Sequence, residues 1–251
     1  MEKRNIFLYE ENKLKEVIEI INKQIKEAEE NFSKQEHTII GFKEGQRGTQ
    51  FIRQGLMSLY ATEVYNLRSV LSNPYFGMFN FENNEEKNEI YLGKKTIMDG
   101  TKVIAHDWRS PICSMYYDYN IGDAEYISNT GEKRKGKIIK KRQIIIKDGV
   151  LKAVDEQDTL SNDSVLLKYL QENSDARLKS IIATIQREQN KIIRSPLRGD
   201  YIIQGTAGSG KTTVALHRIA YLLYNEAKNI SEADFMILGP NKYFLNYISD
   251  L

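Results

Sequence analysis

The sequence predicts a mixed α/β chain: an antiparallel helical hairpin, a small and mostly antiparallel β module, and the opening of a second, incomplete α/β sheet. Three observations carry this reading. Apolar residues recur at helical spacing through 1–73, and short β-prone runs alternate with turn signals through 74–157. Within 158–251, an apolar run at 201–204 passes through a glycine-rich turn into another amphipathic stretch.

In the first segment Leu14, Ile18, Ile21, Ile25, Ala28 and Phe32 follow one another in steps of four and three, which places them on one stripe of a helix. Gly41, Gly45 and Gly48 interrupt the pattern. A second series, Ile52, Leu56, Tyr60, Val64, Leu67 and Leu71, runs up to Asn73-Pro74. Two amphipathic helices hide their stripes most simply against each other, as a hairpin with the glycines at its tip. Residues 1–70 hold 11 basic and 11 acidic side chains, so this arm is no electrostatic clamp for DNA and reads as a packing or partner-contact element. The pairs Glu10-Glu11 and Glu29-Glu30 read as its wetted face.

The second segment carries β-prone runs at 89–92, 102–106, 112–119, 124–127, 137–147 and 151–154, punctuated by Asp99-Gly100, Gly122, Thr130-Gly131 and Asp148-Gly149. Asp148-Gly149 between two apolar runs predicts a tight hairpin. Tyr116, Tyr117 and Tyr119 are expected to alternate across a strand. Helical spacing returns over 158–194, with a break at Asn173-Ser174-Asp175, and further strands are expected at Tyr201–Gln204 and Ala233–Leu238.

Composition sets outer bounds. With 251 residues, 41% hydrophobic and 28% charged, the chain can bury a substantial core and is not disordered throughout. A net charge of +2 excludes a uniformly basic nucleic-acid coat. The single cysteine, Cys113, excludes an internal disulfide framework and a multi-thiolate zinc site; His37, His106 and His217 are too scattered for a local metal motif. No run approaches the ~18 apolar residues of a membrane span, and Met1-Glu2-Lys3-Arg4-Asn5 leads into charge, so a reduced, cytoplasmic, soluble protein is expected.

The chemistry is concentrated in Gly205-Thr206-Ala207-Gly208-Ser209-Gly210-Lys211-Thr212, a full G-x-x-x-x-G-K-[ST] motif between a predicted strand and a predicted helix. Glycines let successive amide N–H groups point inward as an anion nest, and the following helix adds its positive end. Lys211 can reach β- and γ-phosphates, and the Thr212 hydroxyl can take a coordination position on Mg²⁺. ATP and Mg²⁺ are the expected cofactors, and Lys211 and Thr212 the expected catalytic groups.

The surroundings of this loop narrow the class. Gln189, in Ile185-Gln186-Arg187-Glu188-Gln189-Asn190, lies 22 residues before Lys211, and Val214 to Leu223 reads VALHRIAYLL. Together with Gly205–Thr212 these resemble the Q motif, motif I and motif Ia region of superfamily-1 helicases of the UvrD/Rep type. Further strings resemble the N-terminal region of the HelD branch: Asn73-Pro74-Tyr75-Phe76-Gly77, Ile90-Tyr91-Leu92-Gly93, Asp107-Trp108-Arg109-Ser110-Pro111-Ile112, Tyr116-Tyr117-Asp118, Lys141-Arg142-Gln143 and Leu238-Gly239-Pro240-Asn241-Lys242-Tyr243-Phe244. The resemblance covers essentially the whole chain. It implies the start of a RecA-like ATPase domain in an ATP-driven motor that unwinds or translocates on DNA, or that releases and recycles RNA polymerase through its N-terminal coiled-coil arm, here residues 1–73. By the same resemblance Gln189 hydrogen-bonds the adenine edge, the loop from Gly205 to Gly210 with Lys211 holds the phosphates, and Thr212 holds magnesium. Thr213 joins these contacts at the position where UvrD/Rep proteins commonly carry an arginine against the adenine, a change the HelD branch tolerates.

Forty residues follow Lys211, and Asp234 and Asp250 are the only acidic side chains after Glu232; neither ends a hydrophobic strand in the Walker B manner. The chain is therefore expected to be the front portion of a longer motor, without the groups for hydrolysis on its own. The alternative is a stand-alone partner-binding protein with a helical arm and a vestigial P-loop. The basic run Lys133-Arg134-Lys135, Lys137, Lys140-Lys141-Arg142 and Lys147 reads as a solvated sheet face more than a nucleic-acid contact, because stacking aromatics are absent from it. Trp108 reads as core rather than a domain-interface anchor, Cys113 as a small core residue, and His217 as a packed histidine rather than a catalyst.

Overall fold

The computed structural model describes residues 2–39, 47–83, 87–157, 185–242 and 245. The chain divides into two compact units, Met1–Phe81 with Glu86–Asp107 and Ile139–Gln157, and Glu82–Glu85 with Trp108–Ile138 and Asp158–Leu251. The helical hairpin shares a unit with much of the sheet.

The first unit opens with α1 (Glu2–Ile39) and α2 (Arg47–Leu71). Leu14, Val17, Ile21, Ile25 and Ala28 form the buried stripe of α1, with Ile21 fully covered; each of the four larger side chains contributes about 1.5–3 kcal/mol on leaving water. A Cβ placed on Gly149 would lie 3.6 Å from Ile18 Cδ1 and 3.8 Å from the Leu71 carbonyl. The last residue of α2 thus sits beside the middle of α1, as an antiparallel pair requires. Arg68 bridges the helices to Glu29 at 2.5 Å.

Beneath the helices lie β1 (Gly77–Glu82), β2 (Lys87–Gly93), β3 (Ile97–Asp99), β4 (Lys102–Asp107), the later part of β6 (Lys133–Lys147) and β7 (Val150–Gln157). Their hydrogen-bonded order is β3-β4-β2-β1-β6, with β7 pairing β6. β2 and β4 run parallel, with Leu92 opposite His106, while β3–β4 and β6–β7 are antiparallel. Asp148 (φ 53) and Gly149 (φ 73) turn β6 into β7 as a two-residue hairpin whose positive dihedrals match strand twist. Gly93 is a glycine because a Cβ there would stand 2.3 Å from the Pro74 carbonyl oxygen. Tyr75, Met78, Tyr91, Ile97, Ile104, Ile144, Ile146 and Leu151 close one core with Leu14, Val17, Ile21 and Ile25 of α1 and Val70 of α2.

Two expectations for the hairpin fail here. Ile52 is 65% exposed, because only the last turns of α2 (Val64, Leu67, Val70, Leu71) reach the shared core. Glu10, read as a wetted residue, is fully buried. It receives Arg142 Nη1 at 2.8 Å and the Tyr91 hydroxyl at 3.2 Å, while Arg142 Nε donates to Glu156 at 2.5 Å. Burial of Glu10 outweighs the pull of Arg142 and pushes its carboxyl up from the ordinary range.

The second unit begins with a 3₁₀ turn (Pro111–Cys113) running into α3 (Ser114–Asp118). The strand expected over 112–119 is therefore helical, and the tyrosines do not alternate across a sheet. Pro111 presets the first helical φ behind an extended Ser110, and Met115, Tyr116 and Tyr117 all bury on the short turn. β5 (Gly122–Ile127) then pairs antiparallel with the opening of β6. Next come α4 (Arg187–Ile193) and α5 (Lys211–Asn225), and a 3₁₀ turn at Glu232–Asp234.

Neither expected late strand forms. Tyr201–Gln204 takes no regular secondary structure and has no ladder partner among the described residues, with Ile202 90% exposed. Along 233–238 the chain makes the 3₁₀ turn and then runs free of a ladder, with Met236 83% and Leu238 87% exposed. A strand needs a neighbour for its N–H and C=O groups, and apolar composition alone does not supply one. The helices expected across 158–184, with their break at Asn173-Ser174-Asp175, and the glycines Gly41 and Gly45 lie outside the described residues. Among the described residues no helix is long and apolar enough to cross a membrane.

Candidate nucleotide-binding site

The glycine-rich turn of the second unit is built by backbone geometry. Gly208 (φ 80) and Gly210 (φ 79) both occupy the left-handed region that side-chain-bearing residues rarely adopt. Gly210 is the N-cap of α5, no side chain caps that helix, and its first turn holds no acidic residue. The N–H groups at the start of α5 are thus left for an anion, with the positive end of a 15-residue helix behind them. Gly205 lies so close to the returning chain that a Cβ would meet Ser209 Oγ at 2.4 Å. Ser209 N closes the turn on the Thr206 carbonyl at 3.2 Å, and Thr206, Ala207 and Ser209 face solvent.

Lys211 folds back over this turn. Its Nζ donates to the Gly205 and Thr206 carbonyls at 2.8 and 2.7 Å, oxygens that occupy the role phosphate oxygens would take. Thr212 and Thr213 are half-buried in the first turn of α5. Gln189, on α4, is brought to the same place: its Nε2 donates to the Ser209 carbonyl at 3.4 Å and lies 3.4 Å from where a Gly210 Cβ would be. Its Oε1 accepts from Gln186 N at 3.0 Å, closing a capping box that fixes the amide's orientation. The structure therefore gathers Gln189, the Gly205–Gly210 turn, Lys211, Thr212 and Thr213 at one locus. It is carried by α4 and α5 rather than by the strand expected before it.

Behind the loop, His217 Nδ1 meets the Thr213 carbonyl at 2.7 Å, and burial holds its imidazole below the ordinary histidine range. Trp108 packs edge-on to that ring at 5.6 Å and is 3% exposed. Arg109 donates to the Ala220 carbonyl at 3.3 Å and lies over the Tyr224 ring at 4.5 Å. Trp108 and Arg109 thus pack against α5, and Cys113 is buried as expected.

Other candidates drop out. Among the described residues no group of three His, Cys, Asp or Glu side chains could hold a metal ion. Asp234 accepts from Ser231 N and Oγ at 2.8 and 2.9 Å, which keeps its carboxyl ionised to lower pH than usual and commits it to the 3₁₀ turn. The basic stripe of β6 is matched across the ladder: Lys135 faces Glu125, Lys137 faces Asp123, and Lys133 bonds Glu125 at 2.7 Å. The groove of about 820 Å³ along this hairpin is lined by both signs, which does not suit a polyanion.

Residues 7–194 match the family described as DNA helicase IV HelD, N-terminal domain. The chain belongs to that family. A second match, residues 185–238, is to the UvrD/REP helicase N-terminal domain, and it contains Gln189, the glycine-rich turn and all of α5. No curated protein matches the chain. The two matches meet on α4, so the HelD portion supplies the Trp108–Ser110 turn and α3, and the UvrD/REP portion supplies the loop they support.

Sequence reading found the loop because its residues are contiguous. It missed Arg194, Arg218, Asn190 and Asp118, which hold α4 in place. Apart from the Asn190–Arg194 pair at i,i+4, the hydrogen-bond partners of these side chains lie 22 to 86 residues away, beyond the reach of local spacing.

Proposed function

We propose that this chain is the ATP-binding N-terminal part of a superfamily-1 helicase-like motor, whose nucleotide cycle drives DNA unwinding or translocation, or release of RNA polymerase. The observation that supports this most is the placement of Lys211 Nζ over a turn of left-handed glycines at an uncapped helix start. The N–H groups of that start and Lys211 grip the triphosphate, Lys211 exchanging its two carbonyl partners for phosphate oxygens. Thr212 supplies one hydroxyl to the Mg²⁺ that arrives with the nucleotide, and Gln189 reads the adenine edge. The setting is cytoplasmic, and DNA is the partner of the motor as a whole.

Within this reading, polymerase release has its own supporting observation. Ile52 and Leu59, seven residues apart on one side of α2, are 65% and 66% exposed, an apolar pair suited to a protein partner. Calorimetric titration with Mg-ATP tests the nucleotide reading: wild type binds, and Lys211→Ala binds at least about tenfold more weakly, from loss of charge-assisted hydrogen bonds to phosphate. Equal affinity in the two proteins removes the P-loop assignment. A pull-down with RNA polymerase using Ile52→Ser/Leu59→Ser separates the partner roles, since retained binding excludes α2 as the contact.

A further inference from the structure

α4 is only seven residues long, so whatever fixes its C-terminal end also fixes Gln189 near its start. That end is held from α5 by Arg218, seven residues beyond Lys211. Arg218 Nη1 donates to the carbonyls of Ile192, Ile193 and Ser195 at 3.1, 3.4 and 2.7 Å and to Ser195 Oγ at 2.6 Å. Its Nη2 donates to the Pro196 carbonyl at 2.7 Å, and its guanidinium lies over the Tyr201 ring at 4.3 Å. The carbonyls at a helix C-terminus lack intrahelical partners and carry the negative end of the dipole, so a cation with a planar fork of donors suits them. On the far side, fully buried Asn190 donates to Asp118 at 2.9 Å, and Arg194 Nη2 donates to the Trp108 carbonyl at 2.5 Å. Arg218 is therefore the strut that sets α4 against the helix bearing the phosphate loop.

We propose that Arg218 is a positioning residue for base recognition: it holds Gln189 at the mouth of the P-loop and so determines preference for adenine without contributing to the grip on the triphosphate. This deepens the nucleotide reading and rests on it. Arg218 touches neither the turn nor Lys211 in any of its hydrogen bonds, which separates its effect from theirs.

The test is titration of wild type, Arg218→Gln, Arg218→Lys and Gln189→Ala with Mg-ATP, Mg-GTP and inorganic tripolyphosphate. Arg218→Gln is expected to lower the ATP-to-GTP affinity ratio about tenfold, the scale of one well-placed hydrogen bond, with tripolyphosphate affinity unchanged. Gln189→Ala is expected to give the same loss, and the double variant no more than either alone. Arg218→Lys, which keeps charge but not the fork, should fall between wild type and Arg218→Gln, and stands in for it if that protein does not fold. Three outcomes overturn the proposal: an unchanged ratio in both Arg218 variants, an equal fall in affinity for all three ligands, or additive losses in the double variant. If wild type binds neither ATP nor tripolyphosphate, the underlying P-loop reading fails first and takes the proposal with it. Wild type binding tripolyphosphate with no base preference leaves the P-loop standing and overturns the proposal alone.

Discussion

Removing the Glu10 carboxylate is expected to have opposite effects depending on what replaces it. Glu10 is fully buried, and Arg142, its partner at 2.8 Å, is exposed by only 7% on its side chain. Glu10→Ala deletes the acceptor of one charge-assisted hydrogen bond and of the Tyr91 hydroxyl, whose own proton burial holds firmly in place. Losing the first costs about 1.5–3 kcal/mol and stranding a buried hydroxyl about 1–3 kcal/mol. Glu156 still binds Arg142 at 2.5 Å, so the full penalty of an abandoned buried charge does not apply and a net loss of about 3 kcal/mol is expected. Glu10→Gln keeps the shape and an acceptor while removing the charge. Because the folded carboxyl titrates above its unfolded value, the native state binds more protons than the unfolded chain between those values. The stability Glu10 contributes is complete below the unfolded value and is lost as pH rises through the folded one. Glu10→Gln is therefore expected to match wild type in acid and to exceed it near neutrality. Urea melts followed by far-ultraviolet circular dichroism at several pH values measure both effects. A Glu10→Gln protein markedly less stable than wild type at neutral pH refutes the reasoning, since the ion pair would then outweigh its burial.

Three further outcomes follow from the same geometry. Gly205→Ala is expected to weaken Mg-ATP binding, because its Cβ falls 2.4 Å from Ser209 Oγ and 3.2 Å from Ser209 Cβ, so the Ser209 side chain must swing aside and the turn must give slightly; unchanged calorimetric affinity would show that the turn has slack. Gly93→Ala pushes a methyl against the Pro74 carbonyl at 2.3 Å and is expected to cost at least about 1–3 kcal/mol in a urea melt, the range for forced overpacking. His217 titrates below its unfolded value, so the stability it contributes is present above that value and is lost as pH falls through the folded one. The fluorescence of Trp108, the single tryptophan of the chain, reports this unit, and His217→Phe should flatten the acid side of its melting profile; an unaltered profile excludes His217 as the titrating group.

What could be read from the sequence was local. The stripe through Leu14, Ile21, Ile25 and Ala28 is written in the 3.6-residue period, and Asp148-Gly149 names its own turn because few residue pairs accept positive φ twice. The turn from Gly205 to Gly210 is legible for the same reason: closely spaced glycines, a lysine and the start of a helix define their geometry without help from afar. Where the reading failed, the deciding partner was distant. Glu10 looks like any solvated helix glutamate until Arg142 arrives 132 residues later. Met115, Tyr116 and Tyr117 have strand composition, yet Pro111 and burial on a short turn make them helical. Tyr201–Gln204 has the composition of a strand and, among the described residues, no neighbour paired with it.

The sequence by itself determined the helical stripes, the hairpin turn, the family and the glycine-rich turn before α5, since each depends on backbone preferences and spacing within one segment. Tertiary structure alone decided that the helical hairpin shares its core with a sheet, that a buried carboxylate answers Arg142, and that Arg218 and Arg194 fasten the C-terminal end of α4, the helix that carries Gln189. Those are contacts between segments far apart in the chain. Their stability comes from desolvation and hydrogen-bond geometry that exist only once the segments have met.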